Sequence, residues 1–225
     1  MENRSIAIDG PSGAGKSTLS RLLANHFGMI YVDTGALYRS IGLFALKNGV
    51  ASKDLQGVTN LLPLINIEMV YDDSGTQKMY LNGEDVSAEI RLPEISIYAS
   101  DVSAMPPVRE FLLDTQRVMA DKYDVIMDGR DIGTVVLPNA GLKIFLTATP
   151  ESRAQRRFEE LCERSLDTSY DEVLRDISYR DKNDSSRAAA PLKAADDAVV
   201  LNTTGFSLEK SFSSLKKIIK EHFDI

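Results

Sequence analysis

The sequence predicts an α/β fold, a parallel sheet of five strands with helices on both faces. Three observations carry that reading. Five short apolar segments, 5–9, 29–33, 123–128, 143–147 and 198–202, alternate with segments of helical period. Each is apolar at successive positions rather than at every second one, the pattern of a strand buried on both faces. Polar or glycine-containing text follows three of them directly, where such sheets collect their ligands.

The elements follow in order. Residues 5–9 (SIAID) give the first strand. In the helical segment 16–27, Leu19, Leu22, Leu23 and Phe27 fall on one face. Helical patterns recur over 37–47, over 108–122, and from 150 to about 183 in two pieces. An amphipathic segment, 207–223, closes the chain. Residues 62–100 break the alternation. Ile65, Ile67 and Met69 alternate with polar neighbours, as do Met79 and Leu81, around Asp72-Asp73-Ser74-Gly75, which predicts a hairpin turning there. Asn82-Gly83 marks a second turn into 84–87, and 93–104 reads as helix. This is a small antiparallel β/α piece set into the α/β frame.

With 225 residues and 43% hydrophobic side chains the chain can build one compact domain with an insertion. The net charge of −7 argues against a general nucleic-acid binder, whose footprint is basic. Yet seven of the 14 arginines lie between Arg153 and Arg187. Cys162 is the single cysteine, so no internal disulfide forms; it reads as a small, semi-buried side chain beside Phe158 and Leu161. His26 and His222 stand apart from any metal cluster. No apolar run approaches the length of a membrane span, and no leader pattern precedes the first strand. The expectation is a cytoplasmic monomer.

Residues 10–18 read GPSGAGKST directly after the first strand. This is a P-loop, and the fold expected is therefore the three-layer P-loop fold. Its backbone N–H groups, from Gly10, Pro11, Ser12, Gly13, Ala14, Gly15, Lys16, Ser17 and Thr18 (proline excepted), surround a nucleoside triphosphate, and the helix N-terminus adds to the field. Lys16 reaches the terminal phosphates and Ser17 holds Mg²⁺. Asp128 ends the third strand, where a second metal-directed group belongs, and Asp33 is a weaker candidate.

A P-loop alone suits switches, motors and kinases; arginines discriminate. Arg39 follows the second strand and Arg130 the third, while Arg180, Asp184 and Arg187 share one helix face. Planar guanidinium forks suit phosphate oxygens, so Arg39, Arg130 and Arg187 can hold a second phosphate. Each has a plainer reading: Arg180/Asp184 as a helical ion pair, Arg130 paired to a flanking aspartate, Arg39 as a surface charge. Arg153, Arg156 and Arg157 can close over a transferring phosphoryl group, or simply form a solvated face.

Together GPSGAGKST, the block 33–39 (DTGALYR), the block 128–136 (DGRDIGTVV) and the stretch from Arg180-Asp181 through 187–192 (RAAAPL) resemble the bacterial cytidylate kinase family, over nearly the whole chain. That resemblance implies γ-phosphate transfer from ATP, with Mg²⁺, to CMP or dCMP. It also implies a core of 1–33, 101–150 and 167–225, a monophosphate-binding region 34–100 carrying the insert, and a short lid, 151–166. It implies that Ser100, Arg109 and Asp131 contact cytosine. Thr34, Tyr38, Arg180 and Asp184 would line the nucleoside, and Arg39, Arg130 and Arg187 would grip the monophosphate. The catalytic set expected is Lys16, Arg130, Arg153, Arg157 and Arg187. Another nucleoside monophosphate or small-molecule P-loop kinase is the alternative.

Overall fold

In the computed structural model, which describes residues 3–72 and 76–225, β1 (Ser5–Asp9) lies at the centre of a five-stranded sheet. Around it run β2 (Ile30–Asp33), β6 (Val125–Gly129), β7 (Leu142–Thr147) and β8 (Val199–Asn202), in the order β2-β6-β1-β7-β8, with every pairing parallel. β1 is flanked by two strands that arrive much later in the chain. The chain thus leaves β1 on one side and returns on the other, and the crevice at that switch point opens beyond the strands' carboxyl ends.

Helices α1 (Lys16–Phe27) and α8 (Leu208–Phe223) cover one face, joining Leu19, Leu23, Leu215 and Ile219 to Ile6, Ile8 and Ile144. On the other face Ala7, Val32, Val125 and Met127 pack with Ala120 of α5 (Pro106–Lys122) and with Ile132 and Val136 of one π-helical turn, Ile132–Val136. This is the expected three-layer arrangement. Helix starts obey capping chemistry. Pro106 opens α5, Thr149 and Pro150 open α6 (Pro150–Glu163), and Ser169 with Glu172 forms a reciprocal capping box on α7 (Tyr170–Ser186).

The insert pairs β3 (Ile67–Tyr71) antiparallel with β4 (Gln77–Leu81), and β4 with the short β5 (Glu84–Asp85). Of the turn expected at 72–75, residues 73–75 lie outside the described residues. Between strands and insert come α2 (Thr34–Lys47) and α3 (Leu55–Leu61); α4 (Pro93–Val102) follows the insert. Met79, Leu81, Val86 and Ile90 share one apolar cluster with Leu37 and Ile41 of α2 and Val102 of α4. The insert is thus welded to α2 by a common core.

Four expectations need correction. α2 begins at Thr34 rather than Leu37, because the Asp33 side chain caps it by accepting from Ala36 N at 3.0 Å; Tyr38 and Arg39 therefore sit one turn further in. α3 carried only one buried apolar residue, Val58, and gave no periodic signal. β8 is an edge strand with Val199 and Val200 exposed, so an apolar run here did not mean burial on both faces. Cys162 is exposed. Among the described residues no helix is long and apolar enough to cross a membrane.

Candidate active site

Strand ends and helix starts bring the predicted residues together. The P-loop joins β1 to α1. Gly10, at φ 151°, lies so close to β7 that a Cβ there would stand 1.9 Å from the Leu146 carbonyl oxygen. Gly13, at φ 74°, sits against Arg153, whose Cβ would be 3.0 Å away. Both positions need glycine. Lys16 is buried, and its Nζ donates to the Pro11 carbonyl at 2.8 Å, folded back across the loop. Burial, followed by repulsion from Arg130, pushes its ammonium pKa well below the usual lysine range.

Beyond the loop, Ser17 Oγ donates to Asp128 Oδ2 at 3.0 Å and Tyr31 OH donates to Asp128 Oδ1 at 2.8 Å. Asp33 is the register partner of Asp128 across β2 and β6. Burial, then the neighbouring Asp33 charge, raise the Asp128 carboxyl above its ordinary value. A hydroxyl and a buried carboxylate already in contact beside a P-loop form the hard oxygen set that Mg²⁺ takes, and the residues fit the ion. Asp33, the weaker candidate, is differently engaged: Oδ1 caps α2, and Oδ2 receives Arg91 Nη2 at 2.6 Å.

One cavity of ≈ 60 Å³ is lined by Ser17, Thr34, Tyr38, Arg39, Ser100, Asp128, Arg130, Asp131, Arg180, Asp184 and Arg187, among others. Its arginines arrive from three elements: Arg39 from α2, Arg130 from the turn after β6, and Arg180 with Arg187 from α7 and its end. Arg130 Nε donates to Asp184 Oδ2 at 2.8 Å, and Ser100 Oγ donates to Asp184 Oδ1 at 2.9 Å. The expected Arg180/Asp184 pair is replaced by this one, and Arg180 Nε is buried without a hydrogen-bond partner. Burial, with repulsion from Arg130 and Arg39, lowers the Arg180 guanidinium to about 9. Burial also lowers Arg39 to about 10, despite the opposing pull of Asp33.

Asp131 stands at the far wall. Arg109 Nη2 donates to its Oδ2, and Arg187 Nη2 donates to its Oδ1 at 3.2 Å. Arg109 itself stays outside the lining, with its guanidinium 5.8 Å from the centre of the Tyr38 ring. Thr34 Oγ1 donates to the Asp128 carbonyl at 2.8 Å.

The lid arginines are placed differently from expectation. Arg153 is buried, donating to the Ala148 and Ser12 carbonyls and to both oxygens of Asp181. With its guanidinium committed to the P-loop backbone it braces the loop rather than closing over it. Arg156 Nη2 donates to the Thr203 carbonyl at 2.6 Å. Arg157 pairs with Glu160 at 2.7 Å, near enough to the cavity to repel Arg39 and Arg180.

Sequence reasoning missed Asp9, Tyr31, Arg91 and Ser103. Asp9 Oδ1 and Oδ2 accept from Ile132 N and Gly133 N, each at 2.8 Å, tying the strand before the P-loop to the turn after Asp131. A carboxylate at the end of an apolar strand was the available signal. For Arg91 it was a lone arginine in the insert.

The cytidylate kinase family profile matches residues 6–221. A relative named cytidylate kinase from Caldicellulosiruptor bescii is 49% identical over 225 residues, covering 100% of this chain and 98% of that one. The chain belongs to the cytidylate kinase family. A second relative of the same name, from Lactobacillus johnsonii, is 46% identical over 216 residues, covering 96% of this chain and 94% of its own length. A solved structure of an uncharacterized protein from Eubacterium ventriosum aligns with TM-score 0.54 at 12% identity, covering 98% of this chain and 99% of that one, a likeness of fold alone. Membership in the cytidylate kinase family makes the chain an enzyme with ATP as phosphoryl donor.

Proposed function

We propose that the chain transfers the γ-phosphate of ATP in line to CMP and dCMP. One observation carries the reading: Arg39, Arg130 and Arg180 crowd one cavity, burial and repulsion from Arg130 and Arg39 lower Arg180, and one guanidinium N–H is left unpartnered. Cations gathered at such cost in the free protein are suited to a dianionic phosphate, which relieves their repulsion and supplies the missing acceptor. The P-loop holds the donor across from them. Lys16 leaves the Pro11 carbonyl for the donor's phosphates, and Arg39, Arg130 and Arg187 grip and neutralise the acceptor's phosphate.

Ser17 and Asp128 would hold Mg²⁺, and the ion would supply charge neutralisation at the donor's phosphates. Every other contribution belongs to the chain itself: fixing donor and acceptor in line and excluding water. For the base, the Asp131 carboxylate accepts from an exocyclic amine, and Arg109, bonded to Asp131, with Ser100, from the cavity lining, completes a set suited to cytosine over uracil. The lid arginine left to approach the moving group is Arg157. We also propose that the enzyme works as a cytoplasmic monomer.

The deciding experiment measures ADP release with a fixed concentration of ATP and Mg²⁺ against a panel of nucleoside monophosphates. CMP and dCMP are expected to drive release; release without any acceptor, or driven best by a purine monophosphate, rejects the reading.

A further inference from the structure

Arg91, in the 3₁₀ turn Glu89–Arg91 of the insert, reaches the core. Its Nη2 lies 2.6 Å from Asp33 Oδ2. Asp33 is buried, 2% exposed, and is the N-cap of the helix that carries Arg39. The other cation near that carboxylate is Arg39, whose Nη1 stands 3.9 Å from Asp33 Oδ1. We infer that Arg91 is a positioning residue of the acceptor site: by satisfying Asp33 it keeps the Arg39 guanidinium available to the acceptor's phosphate. The inference rests on the proposed function, in which Arg39 grips that phosphate.

The geometry sets up a competition for one guanidinium. A buried carboxylate must be paired. With Arg91 in place, Asp33 Oδ2 has a short, charge-assisted partner, and Arg39 stays at the edge of ion-pair range. Without Arg91, Arg39 needs to close only about 1 Å on Asp33 Oδ1, from 3.9 Å, to reach charge-assisted hydrogen-bond range with the same carboxylate. Its path is clear, because it lies over Gly35, where a Cβ would meet Arg39 Nη1 at 3.0 Å and Asp33 Oδ1 at 3.1 Å. Once paired, Arg39 is held on Asp33 at the cavity wall and its guanidinium is no longer free for a phosphate.

Arg91 is not the insert's sole hold on this strand end. Asp33 N donates to Gln77 Oε1 at 2.9 Å, and Tyr71 OH donates to the Tyr31 carbonyl at 2.9 Å. These contacts, and the apolar cluster shared with α2, keep the insert docked when the Arg91 charge is removed. Residue 91 therefore acts on charge allocation rather than on docking.

The test compares Arg91→Met, Arg91→Lys and the double variant Asp33→Asn/Arg91→Met, with circular dichroism to establish folding. Arg91→Met is expected to raise the KM for CMP by about 10–100-fold, the value of one charge-assisted contact, with a smaller change in the KM for ATP. Arg91→Lys is expected to keep most of the wild-type KM. The double variant is expected to recover at least half of the lost affinity on a logarithmic scale, since no unpaired carboxylate remains to capture Arg39. Wild-type kinetics in Arg91→Met overturn the inference, and so does a double variant as impaired as the single one, which makes Arg91 a clasp. If Arg91→Met does not fold, the inference requires that the double variant fold and bind CMP; failure of both overturns it. If the wild-type enzyme itself shows no CMP-dependent ADP release, the functional reading fails instead, and the two failures are thereby told apart.

Discussion

Ser17 Oγ and Asp128 Oδ2 lie 3.0 Å apart although 111 residues separate them in the chain. One begins α1 and the other nearly ends β6, so the contact exists because β6 was inserted beside β1 in the sheet order. It puts a hydroxyl and a carboxylate together beside the P-loop, an oxygen pair that would hold a divalent cation. Asp128→Asn is expected to raise the Mg²⁺ concentration for half-maximal rate and to lower activity by about 10–100-fold, the usual cost of removing a group that orients a metal's water. A Mg²⁺ titration of ADP release checks this. An unchanged half-saturation would assign Asp128 to structure alone, through its bond from Tyr31.

Asp131 receives Arg109 on one oxygen and Arg187 on the other, so its orientation is fixed before any ligand arrives. Asp131→Asn keeps the shape, replaces one acceptor by a donor and leaves two arginines short of charge. The ratio of kcat/KM for CMP over UMP is expected to fall at least tenfold, because the exchange reverses the preference between an amine and a carbonyl and such contacts are worth about 1.5–3 kcal/mol. An unchanged ratio removes Asp131 from base selection.

The sheet, its helices and the P-loop were legible because they follow from local rules: apolar runs, helical spacing, glycines before a lysine. The gathering of Arg39, Arg130 and Arg187 at one cavity was also legible, since Arg39 and Arg130 follow strand ends and Arg187 shares a helical face with Arg180 and Asp184. The partners were not. Asp184 took Arg130 rather than Arg180, four residues away on its own helix, because the turn after β6 delivers Arg130 closer; no spacing rule contains that distance. Arg153 looked like Arg157 in sequence, yet one is sealed against the P-loop and the other is partly exposed, a difference set by which way α6 faces. Arg91 acts across 58 residues, through a docking surface that exists only once the insert has folded.

Asp9 links both halves of the site, and its carboxyl is raised from 3.8 to about 6, chiefly by burial, which outweighs the two backbone N–H groups it accepts. A raised carboxyl binds its proton more tightly in the folded state than in the unfolded one. Its stabilising contribution is therefore full below about pH 4 and is lost as pH rises through about 6. Asp9→Asn is expected to abolish that falling component and, at pH 7.5, to cost about 1–3 kcal/mol because one buried N–H loses its acceptor. Urea unfolding from pH 4.5 to 7.5 tests both; an identical slope in the variant shows that another group titrates there.

Arg180 is the place where stability and activity are expected to oppose each other. Its guanidinium is held down to about 9 by burial and by its arginine neighbours, and its Nε has no acceptor. The buried charge thus costs the folded protein stability at every pH below 9, including pH 7, where both folded and unfolded chains carry the proton and the cost has no pH slope. Arg180→Met keeps the stem's packing and removes the charge. It is expected to stabilise the free protein by about 1–2 kcal/mol, within the range seen when buried charges give way to apolar groups. For a chain of this length that is about 2–8 °C in Tm. The same variant is expected to bind CMP at least tenfold more weakly, since in the proposed function the ligand supplies the acceptor that this N–H lacks. Thermal unfolding with and without CMP measures both. A lowered Tm in the free variant would mean that attraction to Asp184 outweighs the crowding, and Arg180 would then be a partner within the protein's own charge network rather than a cation kept waiting for a phosphorylated ligand.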